Sequence, residues 1–219
     1  VRDIVDAEAR GIKILPPDVN NSDVIFRIEE EGIIRFGIGG LKGVGIKAIQ
    51  SLVDERNANG KFTSLDNLCE RIDHKIVSKG SVEALIKVGA MQEFGKRAQL
   101  LQVYEDIYVR CQKSKINAAG GFIDMFSSAD GEKSALHNIT KLPALPEVDD
   151  AQKREWEKAI LGISITPSLM NKLTPYLQSK NYKMLHEIKE EHASTSAQNS
   201  KIPVKIYGEV LRKNVKKKK

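Results

Sequence analysis

Cysteine is nearly absent from these 219 residues, and the two present, Cys69 and Cys111, are far apart, with no CxxC pair and no nearby pair of histidines. That pattern argues against a disulfide framework and a zinc site, and it fits a reduced, cytoplasmic setting. Long apolar runs are missing too. No stretch approaches the roughly 20 residues needed to span a bilayer, and the N-terminus lacks a charged-then-apolar leader, so no membrane partner is expected. The four histidines, His74, His137, His186 and His192, are scattered, and no nucleophile stands beside a base in any motif. Phosphoryl transfer needs carboxylates that converge on metal ions. The adjacent pairs Asp149-Asp150 and Glu190-Glu191 sit near helix ends, where capping and solvation account for them. The expectation is therefore no catalytic residue and no metal ligand in this chain, which begins at Val1 and is read as a fragment.

What is present is enough apolar content, 41%, for a real core in a mainly helical chain. The most telling stretch runs from Ile38 through Lys42-Gly43-Val44-Gly45 to Lys47 and Ile49. Glycine reaches positive φ at no steric cost, so Gly43 and Gly45 can turn a tight corner and leave the following amides unpaired. The first N–H groups of a helix lack intrahelical acceptors and carry the positive end of its dipole, which makes a helix starting at Ile46 an anion site. Lys42 and Lys47 flank it. Ile38, Leu41 and Val44, with Ala48, Ile49, Leu52 and Val53 at helical spacing, supply one apolar face for both arms, the pattern of a helix-hairpin-helix. Such a hairpin touches phosphates rather than base edges, so the binding it implies is independent of sequence and sensitive to salt.

Charge distribution agrees. The net charge is +6, and residues 205–219, with seven basic side chains against Glu209, account for all of it. Within the neutral remainder, residues 37–115 hold 13 basic and 9 acidic side chains, while residues 1–36 are net −3. The basic surplus lies around the hairpin.

Along the chain, Pro16-Pro17 enforces an extended, turn-like segment between Ile12 and Asn20. Residues 24–28 and 33–36 read as a strand pair joined by Glu29-Glu30-Glu31-Gly32. A new helix starts after Gly60, with Thr63 as N-cap, Asp66 at the capping-box position and Phe62 as staple, and buries Leu65, Leu68 and Ile72. Ser78 caps the next helix, whose Val82, Leu85 and Ile86 face inward. Gly89 to Gly95 then leads into a long helix near Lys96, read either as a C-cap and loop or as a second hairpin. A second hairpin would serve the other strand of a duplex through Gly95, Lys96 and Arg97. Residues 116–150 turn rich in Gly, Ser, Ala, Asp and Pro around an apolar island, Phe122-Ile123-Asp124-Met125-Phe126, which suggests a docking peptide in a flexible connector. A helix follows from Asp150 to Leu161-Gly162. Residues 202–211 read as a lone strand, which cannot bury its apolar face by itself.

These segments together resemble the alpha subunit of bacterial replicative DNA polymerase III. The resemblance is carried by Gly11-Ile12-Lys13-Ile14-Leu15-Pro16-Pro17-Asp18-Val19-Asn20-Asn21-Ser22, by residues 34–45, by Gly60 to Leu65, by residues 82–90 and by Phe94-Gly95-Lys96-Arg97-Ala98. It implies the end of the fingers over 1–36, a tandem helix-hairpin-helix domain over 37–115, the connector over 116–150, a helical connector over 151–200, and the first strand of an oligonucleotide-binding barrel with a basic tail over 201–219. The implied fold is mainly α, with a short N-terminal β pair and an incomplete C-terminal β element. The implied partners are duplex DNA as primer-template, other replisome subunits, and the sliding clamp through Phe122, Asp124, Met125 and Phe126. Asp124-Met125-Phe126 matches the family's clamp peptide, and Phe122 stands where that peptide has glutamine. The family's catalytic aspartates and their magnesium belong to a palm domain upstream of Val1, so this stretch is expected to bind DNA, supporting templated synthesis and clamp-dependent processivity, without extending it. Two other classes share the motif: a repair glycosylase or ligase carrying the same hairpin, and an interaction module in which the hairpins only pack.

Overall fold

The computed structural model describes residues 7, 10–119, 140–167, 173, 176, 177, 179 and 180, and among the described residues five helices and one three-stranded sheet can be bounded. In chain order these are β1 (Lys13–Leu15), β2 (Arg27–Glu30), β3 (Ile33–Arg35), α1 (Ile46–Asn59), α2 (Leu65–Arg71), α3 (Lys79–Lys87), α4 (Arg97–Ala119) and α5 (Asp150–Ile160). Val1–Thr166 cluster as one compact unit and Pro167–Lys219 as another. The segments 122–126 and 202–219, which carry the expected docking peptide, the lone strand and the basic tail, lie outside the described residues.

The N-terminal β element has three strands rather than the expected two. β3 lies in the centre, antiparallel to β2 and parallel to β1, with Ile14 opposite Ile34 and Leu15 opposite Arg35. The strands around the turn are also shifted: β2 runs to Glu30, so the turn is only Glu31-Gly32. Glu29 is recruited into the strand by an ion pair with Arg35 across the ladder, which holds its carboxyl below the ordinary range by a hydrogen bond outweighing slight burial.

Beyond β1, the segment Pro16 to Asp23 is a polar lock. Asp18 Oδ1 accepts from the N–H groups of Asn20 (2.7 Å) and Asn21 (3.0 Å), closing an Asx-type turn. Asn20 pairs with the backbone of Phe62 in both directions, at 2.8 and 2.9 Å. The buried Arg56 of α1 donates to the carbonyls of Val19 and Ser22 and to Asp23. These buried polar groups are satisfied by one another, which ties the sheet to the helices.

The core is the sum of the expected stripes. Ile38, Leu41, Val44, Ala48, Ile49, Leu52 and Val53 are buried together with Leu65, Leu68, Ile72, Val82, Leu85 and Ile86, and with Leu100, Tyr104, Ile107 and Tyr108 from one face of α4. Both thiols lie in this core; burial pushes Cys69 and Cys111 up, out of the reactive range. Ser78 caps α3 as expected. The cap of α2 is displaced by one residue: Ser64, not Thr63, accepts from Asn67 N–H, and Asn67 reaches back to Thr63 N–H at 3.2 Å. Asp66 is then free of the cap and turns inward, where it accepts from Arg110 and from the N–H and hydroxyl of Thr140. Through that contact the connector's far end, residues 140–149, is fastened to the domain, while its near end continues α4 to Ala119.

Candidate nucleic-acid interface

The first hairpin folds as its residue types dictate. Leu41 O accepts from Val44 N–H at 3.1 Å, closing a four-residue turn, and Gly43 takes φ 81°, where a side chain would be strained. Gly45 does not share that role. It has φ −66° and ψ 138° and forms the N-cap of α1 without a side-chain bond. Val44 points into the core, and its amide is occupied by the turn, so the corner residue itself offers no donor. Its neighbours do: among the described residues no protein oxygen accepts from the N–H groups of Gly43, Gly45, Ile46 or Lys47. α1 has no acid in its first turn, and Lys42 and Lys47 are exposed on either side. Open space surrounds Gly43 and Gly45. The arrangement is a cluster of four main-chain donors and two ammonium groups at the positive end of a helix.

The second hairpin repeats this plan 50 residues later. Met91 O accepts from Phe94 N–H at 3.0 Å, as Leu41 does from Val44, and Gly95 occupies the place of Gly45, although it takes φ 157° and stands one residue further from its helix, which starts at Arg97. Gly89 ends α3 in a Schellman arrangement, with Ala90 N–H on Leu85 O and Gly89 N–H on Ile86 O, before the turn begins. Two of the four corresponding donors are engaged, while among the described residues no protein oxygen accepts from the N–H groups of Glu93 or Gly95. Lys96 N–H meets Gln99 Oε1 at 3.1 Å, and Arg97 N–H meets Glu147 Oε2 at 3.4 Å. Lys96 is exposed, with its ammonium 3.5 Å from Leu145 O. Arg97, expected on the second DNA strand, is turned inward instead. Its guanidinium donates to Lys87 O at 2.9 Å, at the negative end of α3, and to the buried Glu157 at 3.0 Å.

Glu157 was legible in the sequence only as one more charge in α5. It is 1% exposed and gathers Arg97, Ile165 N–H, Thr166 N–H and the Thr166 hydroxyl. Burial alone would raise its carboxyl; the Thr166 hydrogen bonds and the Arg97 charge overcome that and hold it below the ordinary range. Its position three and four residues before Ile160 and Leu161, on an inward-facing stripe, is the signal that could have marked it. α5 also reaches the first hairpin, because Ile160 O accepts from Lys42 N–H at 2.9 Å and Gly162 lies beside the Lys42 ammonium. Among the described residues, no three His, Cys, Asp or Glu side chains are grouped so as to hold a metal ion, and no helix is long and apolar enough to cross a membrane.

The helix-hairpin-helix motif family matches residues 11–100, the span from the first strand through both turns. The chain is 32% identical over 83% of its length to the DNA polymerase III subunit alpha of Chlamydia muridarum, 34% over 74% to that of Thermus aquaticus, and 34% over 71% to that of Vibrio cholerae. This chain belongs to the DNA polymerase III alpha subunit family. It spans about one seventh of the length of these curated relatives, 13–15%. In this alpha-subunit section, residues 11–36, expected to belong to the fingers, pack with both hairpins inside one unit, as Val19 N–H on Ala90 O at 2.8 Å illustrates.

Proposed function

We propose that this chain is the part of a replicative polymerase alpha subunit that holds duplex DNA, independent of sequence, by its phosphates. The observation that carries the reading is the set of unoccupied amides at Gly43, Gly45, Ile46 and Lys47, flanked by Lys42 and Lys47. Donors and cations of this kind bind phosphate oxygens and meet no base edge, so they hold a primer-template without reading it. Nucleotidyl transfer is left to carboxylates and magnesium elsewhere in a polymerase. The sliding clamp and other replisome subunits are its proposed protein partners, the clamp through Phe122, Asp124, Met125 and Phe126; this rests on the match of Asp124-Met125-Phe126 to the family's clamp peptide.

The test is a salt titration of a fluorescent duplex against the full chain. Affinity should fall with a log–log slope of about −0.9 for each phosphate contacted. Lys47→Glu should weaken binding about ten-fold at low salt, with unchanged thermal stability, because Lys47 is exposed. Equal affinity in the variant would remove the first hairpin from the interface.

A further inference from the structure

The two turns have the same plan and opposite electrostatics. Where the first has Gly43 in its corner, the second has Glu93, whose carboxylate accepts from Asn20 at 3.1 Å. Where the first leaves the amides of Ile46 and Lys47 unoccupied, the second has those of Lys96 and Arg97 engaged and residues 140–149 laid across it. Leu142 packs against the core and sits so close to Gly95 that a Cβ there would be 2.5 Å from Leu142 Cδ1. Gln99 Nε2 donates to Pro143 O at 2.8 Å, Lys96 to Leu145 O, and Arg97 N–H to the Glu147 carboxylate, which stands where a phosphate oxygen would. Both ends of this strap are anchored, one by Thr140 on the buried Asp66 and the other by α5, whose Glu157 binds Arg97.

We infer that the chain grips a duplex through its first hairpin alone, along one strand, because its own residues 140–149 and Glu93 fill the phosphate face of the second. This rests on the duplex-binding reading above. The strap shields the second turn with an apolar side chain, two carbonyls and one carboxylate, Glu93 adds a second carboxylate from the turn itself, and Arg97 is turned to the interior. A phosphate at the second turn would have to displace Leu142 from the core and meet Glu93.

The experiment uses the full chain and three duplexes of one sequence: native, with neutral methylphosphonate linkages in one strand, and neutral in both. A grip on one strand loses half its sites when one strand is neutral, so affinity should fall by no more than about three-fold, and it should vanish when both are neutral. A loss of about ten-fold or more on neutralising one strand shows contacts to both strands and overturns the inference while leaving the duplex reading intact. Undiminished binding to the fully neutral duplex sinks the phosphate reading itself, and this inference with it. Glu147→Gln, compared with Glu155→Gln on the exposed face of α5, separates a fixed strap from a displaceable one. Equal affinities for the two variants support closure, whereas a gain of more than about two-fold for Glu147→Gln alone overturns it.

Discussion

At the scale of single residues, the position with the largest consequence is Glu157. A buried carboxylate is tolerable only when its charge is compensated, and here four donors from Arg97, Ile165 and Thr166 converge on it. Glu157→Ala strands the half-buried Arg97 guanidinium and should cost about 3 kcal/mol at pH 7 in urea unfolding. The pH dependence follows from the direction of the shift. The folded carboxyl titrates below its ordinary value of 4.5, so its contribution is complete above that pH and is lost as the pH falls through the lowered value. The gap between the natural chain and Glu157→Ala should therefore be constant from pH 7 down to 4.5 and narrow below it. A gap that widened on acidification would contradict the assignment.

Among elements, the start of α2 shows how local chemistry chooses between neighbours. Thr63 and Ser64 are both competent caps, and each has a residue with a side-chain oxygen three places on, Asp66 or Asn67. Residue types alone do not choose. Folding chooses Ser64, because Asp66 is needed inside to receive Arg110 and Thr140. Thermal unfolding should thus show Ser64→Ala costing about 1 kcal/mol and Thr63→Ala only a few tenths. Equal losses would mean that the two registers exchange. α4 makes the complementary point. Its inward face, Leu100, Tyr104, Ile107 and Cys111, has helical spacing, and its start near Lys96 is marked by Gly95; its role as the platform for residues 140–149 depends on contacts 30 to 50 residues away in sequence.

For the molecule as a whole, the hairpins, sheet and α5 make one unit, and the proposed clamp peptide lies in sequence between Ala119, the end of α4, and Thr140, whose N–H and hydroxyl are held by Asp66. Phe126→Ala should abolish capture of the full chain by immobilised clamp and leave its duplex affinity unchanged, measured side by side. Retained capture would remove residues 122–126 from the contact.

The amino-acid sequence by itself determined the elements with strong local signals: the apolar stripes of the helices, the corner at Gly43, the start of α1 and the Ser78 cap. Each depends on residues within one or two turns of each other. It also placed Lys42 and Lys47 beside unsatisfied amides. Only the tertiary structure decided that β1 adds to the sheet, that Arg97 faces Glu157 rather than solvent, and that residues 140–149 cover the second hairpin. The reason is physical. A charged side chain fits its helix whichever way it faces and takes its role from the opposite charge that packing brings near, and for Arg97 that partner lies 60 residues further along the chain.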